Sequence, residues 1–284
     1  MKKINMLFTA LATMALGFVS CQKEDTSIMT FTAHTEVNGT KTTLNNEGFF
    51  EWQNTDVVRI LPGIEDFTIT PRSSDPTWAD LTGPFIGDGP YTAFYPADLI
   101  RYIEWEADGT TILVVNMVND EYIVEIADTQ HSPDGRLSGS PMMATSSTTN
   151  LQFTNLGSAI RVSMPAGAPA ISRIDVQADH PISGPFTLTT GADGKKYFQI
   201  VEFYEASNTC TLVIDNPQSY STEHYYYISM PVGTYHNITL RFHSTDNSVA
   251  TKSISSNSPI NLHRSQFTTF RIGNDLEFTP DEDF

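Results

Sequence analysis

Cysteine is nearly missing from this chain: Cys21 and Cys210 are the only two in 284 residues. With so few, neither a disulfide framework nor a CxxC or Cys/His metal set can be assembled. Positive charge is scarce as well. Lys and Arg number 16 against 33 Asp and Glu, a formal net charge of −17, and such a surface repels phosphate backbones, which excludes nucleic acid as a partner. Long apolar runs are absent beyond residues 6–19, and that stretch falls short of the roughly 20 residues a membrane-spanning helix needs. Amphipathic helical periodicity is missing too.

The familiar catalytic signatures are also lacking. No H-E-x-x-H, H-x-H, G-x-S-x-G, P-loop or G-x-G-x-x-G occurs, so no catalytic residue, metal ligand or cofactor can be named. The seven histidines are His34, His131, His180, His224, His236, His243 and His263. His236 and His243 lie seven apart on one expected strand, an odd spacing that directs them to opposite faces. The expectation is a non-catalytic protein. A carboxylate pair brought together from distant strands, as glycosidases use, leaves no local signature and stays open as a minor reading.

What is present begins at residues 1–20. Met1, Lys2 and Lys3 precede the apolar run, which ends at Ser20 just before Cys21, the layout of a secretory signal peptide. The small and apolar residues before Cys21 resemble a lipobox, in which the cysteine thiol is acylated. Each buried acyl CH₂ contributes about 0.8 kcal/mol, so two or three chains hold a folded domain at a bilayer. Residues 21–27 form the linker. Within it, Lys23, Glu24 and Asp25 resemble the export signal that sends Bacteroidetes lipoproteins to the outer face of the outer membrane; a plain solvated linker is the alternative.

Period-two alternation runs through the remainder, which predicts an all-β protein. Met29, Phe31, Ala33 and Val37 share one parity, and Asn38-Gly39 follows as a hairpin dipeptide. The expected first strand therefore buries one face at the edge of the first unit. Asp108-Gly109, Asp134-Gly135 and Asp193-Gly194 read as turns. A polar stretch at residues 130–150 divides the chain into residues 28–148 and 149–274, and residues 275–284 read as a solvated acidic tail. Residues 91–96 (YTAFYP) and 225–231 (YYYISMP) are aromatic strands stopped by proline, about one domain apart, a weak internal repeat. Alternation places Tyr226 with Ile228 and Met230 on one face and Tyr225 with Tyr227 on the other. Cys210, alternating with Leu212 and Ile214, reads as a small core hydrophobe.

The order of several pieces resembles a family. The lipobox cysteine, residues 29–33 (MTFTA), Lys41-Thr42, Trp52 followed by residues 56–60 (DVVRI), residues 141–144 (PMMA) and residues 151–162 (LQFTNLGSAIRV) are together similar to the fimbrillin family of type V pilins. The resemblance implies two tandem transthyretin-like β-sandwiches, carried to the cell surface as a lipoprotein anchored in outer-membrane lipid through Cys21. It also implies removal of the first strand by a protease of trypsin-like specificity, after which a neighbouring pilin subunit donates a strand to the vacated groove. Two departures stand out. Arg59 falls inside an expected strand, leaving Lys41 as the candidate processing site. The C-terminal tail offers only Leu276, Phe278 and Phe284 for a donor strand, which favours a tip, anchor or accessory subunit, or an adhesin recognising a host or bacterial surface ligand. The rival reading is a glycan-binding surface lipoprotein of an uptake system.

Overall fold

A computed structural model describes residues 27–35, 51–100, 102–107, 110–115, 117–118, 121–132, 134–135, 140–192, 194–199 and 206–281. As the alternation predicts, the architecture is all-β. The strands run β1 Ile28–Thr35, β2 Val57–Leu61, β3 Glu65–Arg72, β4 Asp75–Pro84, β5 Tyr91–Tyr95, β6 Tyr102–Ala107, β7 Thr110–Val115 and β8 Met117–Val118. They continue as β9 Glu121–Ile126, β10 Thr129–Ser132, β11 Met142–Ser146, β12 Asn150–Asn155, β13 Ser158–Met164, β14 Ile171–Ala178 and β15 Gly184–Thr190. The last are β16 Lys196–Gln199, β17 Thr209–Ile214, β18 His224–Met230, β19 Gly233–Ser244, β20 Ser248–Leu262, β21 Phe267–Arg271 and β22 Thr279–Pro280. A single 3-10 turn at Ala97–Leu99 is the helical element of the described residues.

The first unit closes on itself in the order β1-β12-β11-β5-β2-β3-β4, with β4 returning to β1. Its interior is aromatic. Phe31 meets Phe67 and Tyr91 edge-on at 5.3 and 4.8 Å, and Trp52 meets Tyr95 and Phe153 at 5.1 and 5.3 Å. The indole Nε1–H of Trp52 donates to the Thr77 carbonyl at 3.1 Å, so this large ring is buried without an orphaned polar atom. Gly83 on β4 has no substitute, because a Cβ there would lie 2.7 Å from the Phe67 ring.

The second unit is a sandwich of a six-stranded sheet, β10-β17-β14-β19-β20-β22, and a three-stranded sheet, β18-β13-β21. Between them lie Ile174, Val176, Leu240 and Phe242 from the large sheet and Ile160, Val162, Tyr226 and Ile228 from the small one. Cys210 is in this core, 1% exposed, as its alternation predicts. A third cluster joins β9 and β15 to the outside of the barrel: Phe186, Leu188, Val124 and Ile126 pack with Leu61, Phe94 and Met143.

The division expected at 148/149 falls within the β11–β12 hairpin, both of whose strands belong to the barrel. On the N-terminal side of it, β10 pairs in parallel with β17 of the large sheet. The C-terminal tail corrects the expectation of a solvated end. Leu276 and Phe278 pack against the sandwich core, and β22 pairs with β20 through Val249↔Thr279 and Ser248↔Pro280. Two apolar side chains in an acidic segment suffice to dock it once a sheet edge is there to receive its backbone.

Candidate functional site

Three features of the molecule could carry function. The first is the slot occupied by β1. Seven residue pairs tie β1 to β4 in antiparallel register, from Ile28↔Pro84 to His34↔Trp78, and four tie it in parallel to β12, from Thr32↔Asn150 to Thr35↔Phe153. The sequence places this strand at an edge; the structure places it between two strands, because closure of the barrel gives it a second neighbour. Phe31 and Ala33 are fully buried and Met29 is half-buried, the parity expected from alternation. Outside the barrel, His34 stacks on Trp78 at 4.4 Å. Cys21, Lys23, Glu24, Asp25, Val37 and Lys41 lie outside the described residues, as do Asn38-Gly39, Asp108-Gly109, Asp193 and Phe284. Arg59 sits inside β2, as expected, with Nε 2.7 Å from Asp66 Oδ1 and Nη2 3.0 Å from Oδ2.

The second feature is a charged cluster on the outer face of the six-stranded sheet. His243 Nε2 lies 2.7 Å from Asp175 Oδ2, and its Nδ1 lies 3.6 Å from Asp281 Oδ2. Asp281, its side chain 6% exposed, also accepts from Arg241 Nη2 at 2.9 Å. Asp175 accepts from Thr211 Oγ1 at 2.9 Å and pairs with Arg173 Nε at 3.2 Å. Every carboxylate here has a cationic or hydroxyl partner, and the arrangement clamps the C-terminal tail to the sheet. Its histidine was expected on the opposite face from His236. The β19–β20 ladder breaks between Tyr235, opposite Ile260, and Asn237, opposite Ser255; across the break Tyr235 and Ile238 both face inward while His236 and Asn237 are both exposed, so parity reverses and both rings come to the outer face.

The third feature is the outer face of the three-stranded sheet. Register places Ser229, Ala159 and Phe267 in one row, Tyr227, Arg161 and Thr269 in the next, and Tyr225, Ser163 and Arg271 in the third. The Arg161 guanidinium carbon lies 4.3 Å from the Phe267 ring centre and 4.8 Å from that of Tyr225, and Tyr227 meets Phe267 edge-on at 6.0 Å. Arg161 Nε donates to Thr269 Oγ1 at 2.9 Å. At one margin Glu223 accepts from Ser163 Oγ and, at 2.9 Å, from the Tyr225 hydroxyl. Those two hydrogen bonds hold its carboxyl below the usual glutamate range. Tyr225 and Tyr227 are half-buried while Tyr226 is 2% exposed, the division alternation predicts. Tyr226 covers Gly135, whose φ is +88° and where a Cβ would lie 2.2 Å from the ring. By sequence Asp134-Gly135 reads as a simple turn; the cap is invisible there because the contact is with a strand about ninety residues away.

Features that could serve catalysis are fewer. A cleft of about 470 Å³ is lined by Asp56, Arg59, Asp66, Tyr95 and Asp98 among others. Burial raises the pKa of Asp56 against the hydrogen bonds from the Gln53 amide and the Tyr95 hydroxyl. Asp66 is held by Arg59, so it does not stand free as a second carboxylate. Burial also pushes the Cys210 thiol up to about 12, which makes it a poor nucleophile. No group of three or more His, Cys, Asp or Glu is placed to hold a metal among the described residues.

No family model matches the chain, and no curated protein does. Among solved structures it is similar to a candidate cell adhesion protein from Bacteroides ovatus, with 12% identity over 90% of this chain and 97% of that one and a TM-score of 0.48. A second candidate cell adhesion protein, from Bacteroides fragilis, is similar at 11% identity over 87% and 93% of the two chains, with a TM-score of 0.33.

Proposed function

We propose that this chain is a non-catalytic, lipid-anchored adhesin or accessory pilin, exposed on the outer membrane and able to exchange its first strand. The observation that carries the reading is the seat of β1: an N-terminal strand, preceded by a lipobox-like cysteine, fills a gap between β4 and β12 with Phe31 and Ala33 fully buried. Extraction of such a strand exposes two rows of unpaired backbone groups and an apolar channel, and an alternating strand from another subunit satisfies both. Arg59, held by two hydrogen bonds from its guanidinium to Asp66 within β2, is a poor tryptic site, which leaves Lys41 as the expected cut. The tail supports an accessory place over a stalk place, because β22 is already paired to its own β20. The rival reading, a glycan-binding lipoprotein of an uptake system, draws on the aromatic and arginine face of the three-stranded sheet.

Limited trypsin digestion tests the strand. Cleavage after Lys41 should leave a folded fragment that binds a peptide copying residues 29–37 and melts at a higher temperature with it. Earlier cleavage elsewhere, or a trimmed protein with no affinity for the peptide, would exclude a removable strand. Cys21→Ala should release the protein from membranes, and alanine at Lys23, Glu24 and Asp25 should shield it from protease added to intact cells.

A further inference from the structure

We infer that the outer face of the β18-β13-β21 sheet is a binding surface for an acidic glycan, with Arg161 and Arg271 receiving the carboxylate of a uronic or sialic acid and Tyr227 and Phe267 receiving the sugar rings. The inference rests on the adhesive reading above and names the ligand class.

Charge is the leading argument. In a chain of net charge −17, nearby acids hold most of the well-placed arginines: Arg59 with Asp66, Arg72 with Asp80, Arg173 with Asp175 and Arg241 with Asp281. Arg161 and Arg271 differ. Among the described residues neither forms an ion pair, and there the one hydrogen bond of the Arg161 side chain is from Nε to Thr269 Oγ1, with none from the terminal nitrogens. Glu223 is the one acid among the described residues whose charge acts on them; it offsets one of the two positive charges, and its oxygens accept from Ser163 and Tyr225. The face is thus a local surplus of positive charge on a negative molecule, and an anion is the complementary occupant.

Shape supplies the second argument. Three strands about 4.8 Å apart and three rows about 6.8 Å apart make a nearly flat field of roughly 10 by 14 Å, the footprint of a disaccharide. Ser229, Ala159 and Ser163 form a low, buried floor, while Tyr225, Tyr227, Phe267 and Arg161 rise around it half-exposed. Rings set at an angle around small residues offer apolar faces to sugar C–H groups without a deep pocket. The Tyr225 and Phe267 rings hold the Arg161 guanidinium in place before any ligand arrives, so little side-chain freedom is lost on binding. A guanidinium also matches a carboxylate in two parallel hydrogen bonds. The aromatic rim separates this face from a merely cationic patch, and the surplus arginine charge separates it from a site for neutral sugars.

The test uses the purified mature chain and calorimetric titration with trigalacturonate, sialyllactose and lactose. The expected result is binding of one acidic sugar and no measurable binding of lactose, with the affinity falling as salt rises. Arg161→Ala and Tyr227→Ala should each weaken it roughly tenfold, while Glu223→Gln should strengthen it by removing the neighbouring negative charge. Arg161→Lys retains the charge and guards against misfolding; a melting temperature equal to that of the unaltered protein qualifies each variant. Equal binding of lactose, or no binding of either acidic sugar at millimolar concentration, overturns the inference. Because the assay uses isolated protein, such a failure leaves the strand-exchange and anchoring tests standing, and their failure leaves this one standing.

Discussion

Two aromatic strands of similar sequence, β5 in the barrel and β18 in the sandwich, meet opposite fates. Tyr91 and Tyr95 of β5 are 5% and 3% exposed, and Phe94 on its other side is covered by Tyr122 at 5.1 Å. In β18 only the inward ring, Tyr226, is enclosed, while Tyr225 and Tyr227 face outward. The difference lies in the neighbours. β5 is hydrogen-bonded on both sides, to β2 and β11, and a second layer from β9 and β15 covers the barrel there. β18 has a single strand partner, β13, and its outward rings Tyr225 and Tyr227 stay half-exposed. The same residue types are enclosed in a closed barrel in one place and left half-exposed on a sheet face in the other.

The sharpest way to break that comparison is to truncate a ring in each unit. Phe31→Ala removes a fully buried ring that touches Phe67 and Tyr91, and it should cost about 3–5 kcal/mol in urea unfolding. Tyr227→Ala should change stability by less than about 0.5 kcal/mol. Similar losses at both sites would show that the outer face of the small sheet is covered after all.

An intermediate effect is expected at the clamp. Asp281→Ala removes the acceptor shared by Arg241 and His243. Because Arg241 keeps access to water, its side chain being 40% exposed, the loss should be about 1–2 kcal/mol. Faster amide exchange confined to the start of β20 would locate it. Unchanged exchange would mean that Leu276 and Phe278 hold the tail without help.

The smallest effect sharpens the contrast from the side of the sandwich core. With its pKa pushed up to about 12 by burial, the Cys210 thiol stays protonated and enclosed over the ordinary pH range. Alkylation with iodoacetamide near pH 8 should be undetectable in the folded protein and complete after denaturation. Rapid labelling of the native protein would show that this sheet opens readily.

Much of the fold was legible in advance, because strand alternation is a local signal. The inward set of β1, the core place of Cys210 and the division of the three consecutive tyrosines all follow from period two. The relation of His236 to His243 was misread for the same reason. Parity counting assumes an unbroken ladder, and the bulge at Tyr235/Asn237 is a property of the pairing with β20, where partner spacing decides how many residues fit. The tail was misread because composition reports its acids but not the edge that receives it.

By itself, then, the amino-acid order determined which residues face inward along unbroken strands, that the protein is all-β, and that a disulfide framework cannot be assembled from two cysteines. Only the tertiary structure decided who stands beside whom. It gave β1 two neighbours in place of one, docked the tail on β20, and left Arg161 and Arg271 to share the single acid Glu223 while pairing arginines one-to-one elsewhere. The physical reason is that alternation is set by the geometry of one chain, whereas closure, pairing and ion-pair choice depend on contacts between segments far apart in sequence, which no local pattern records.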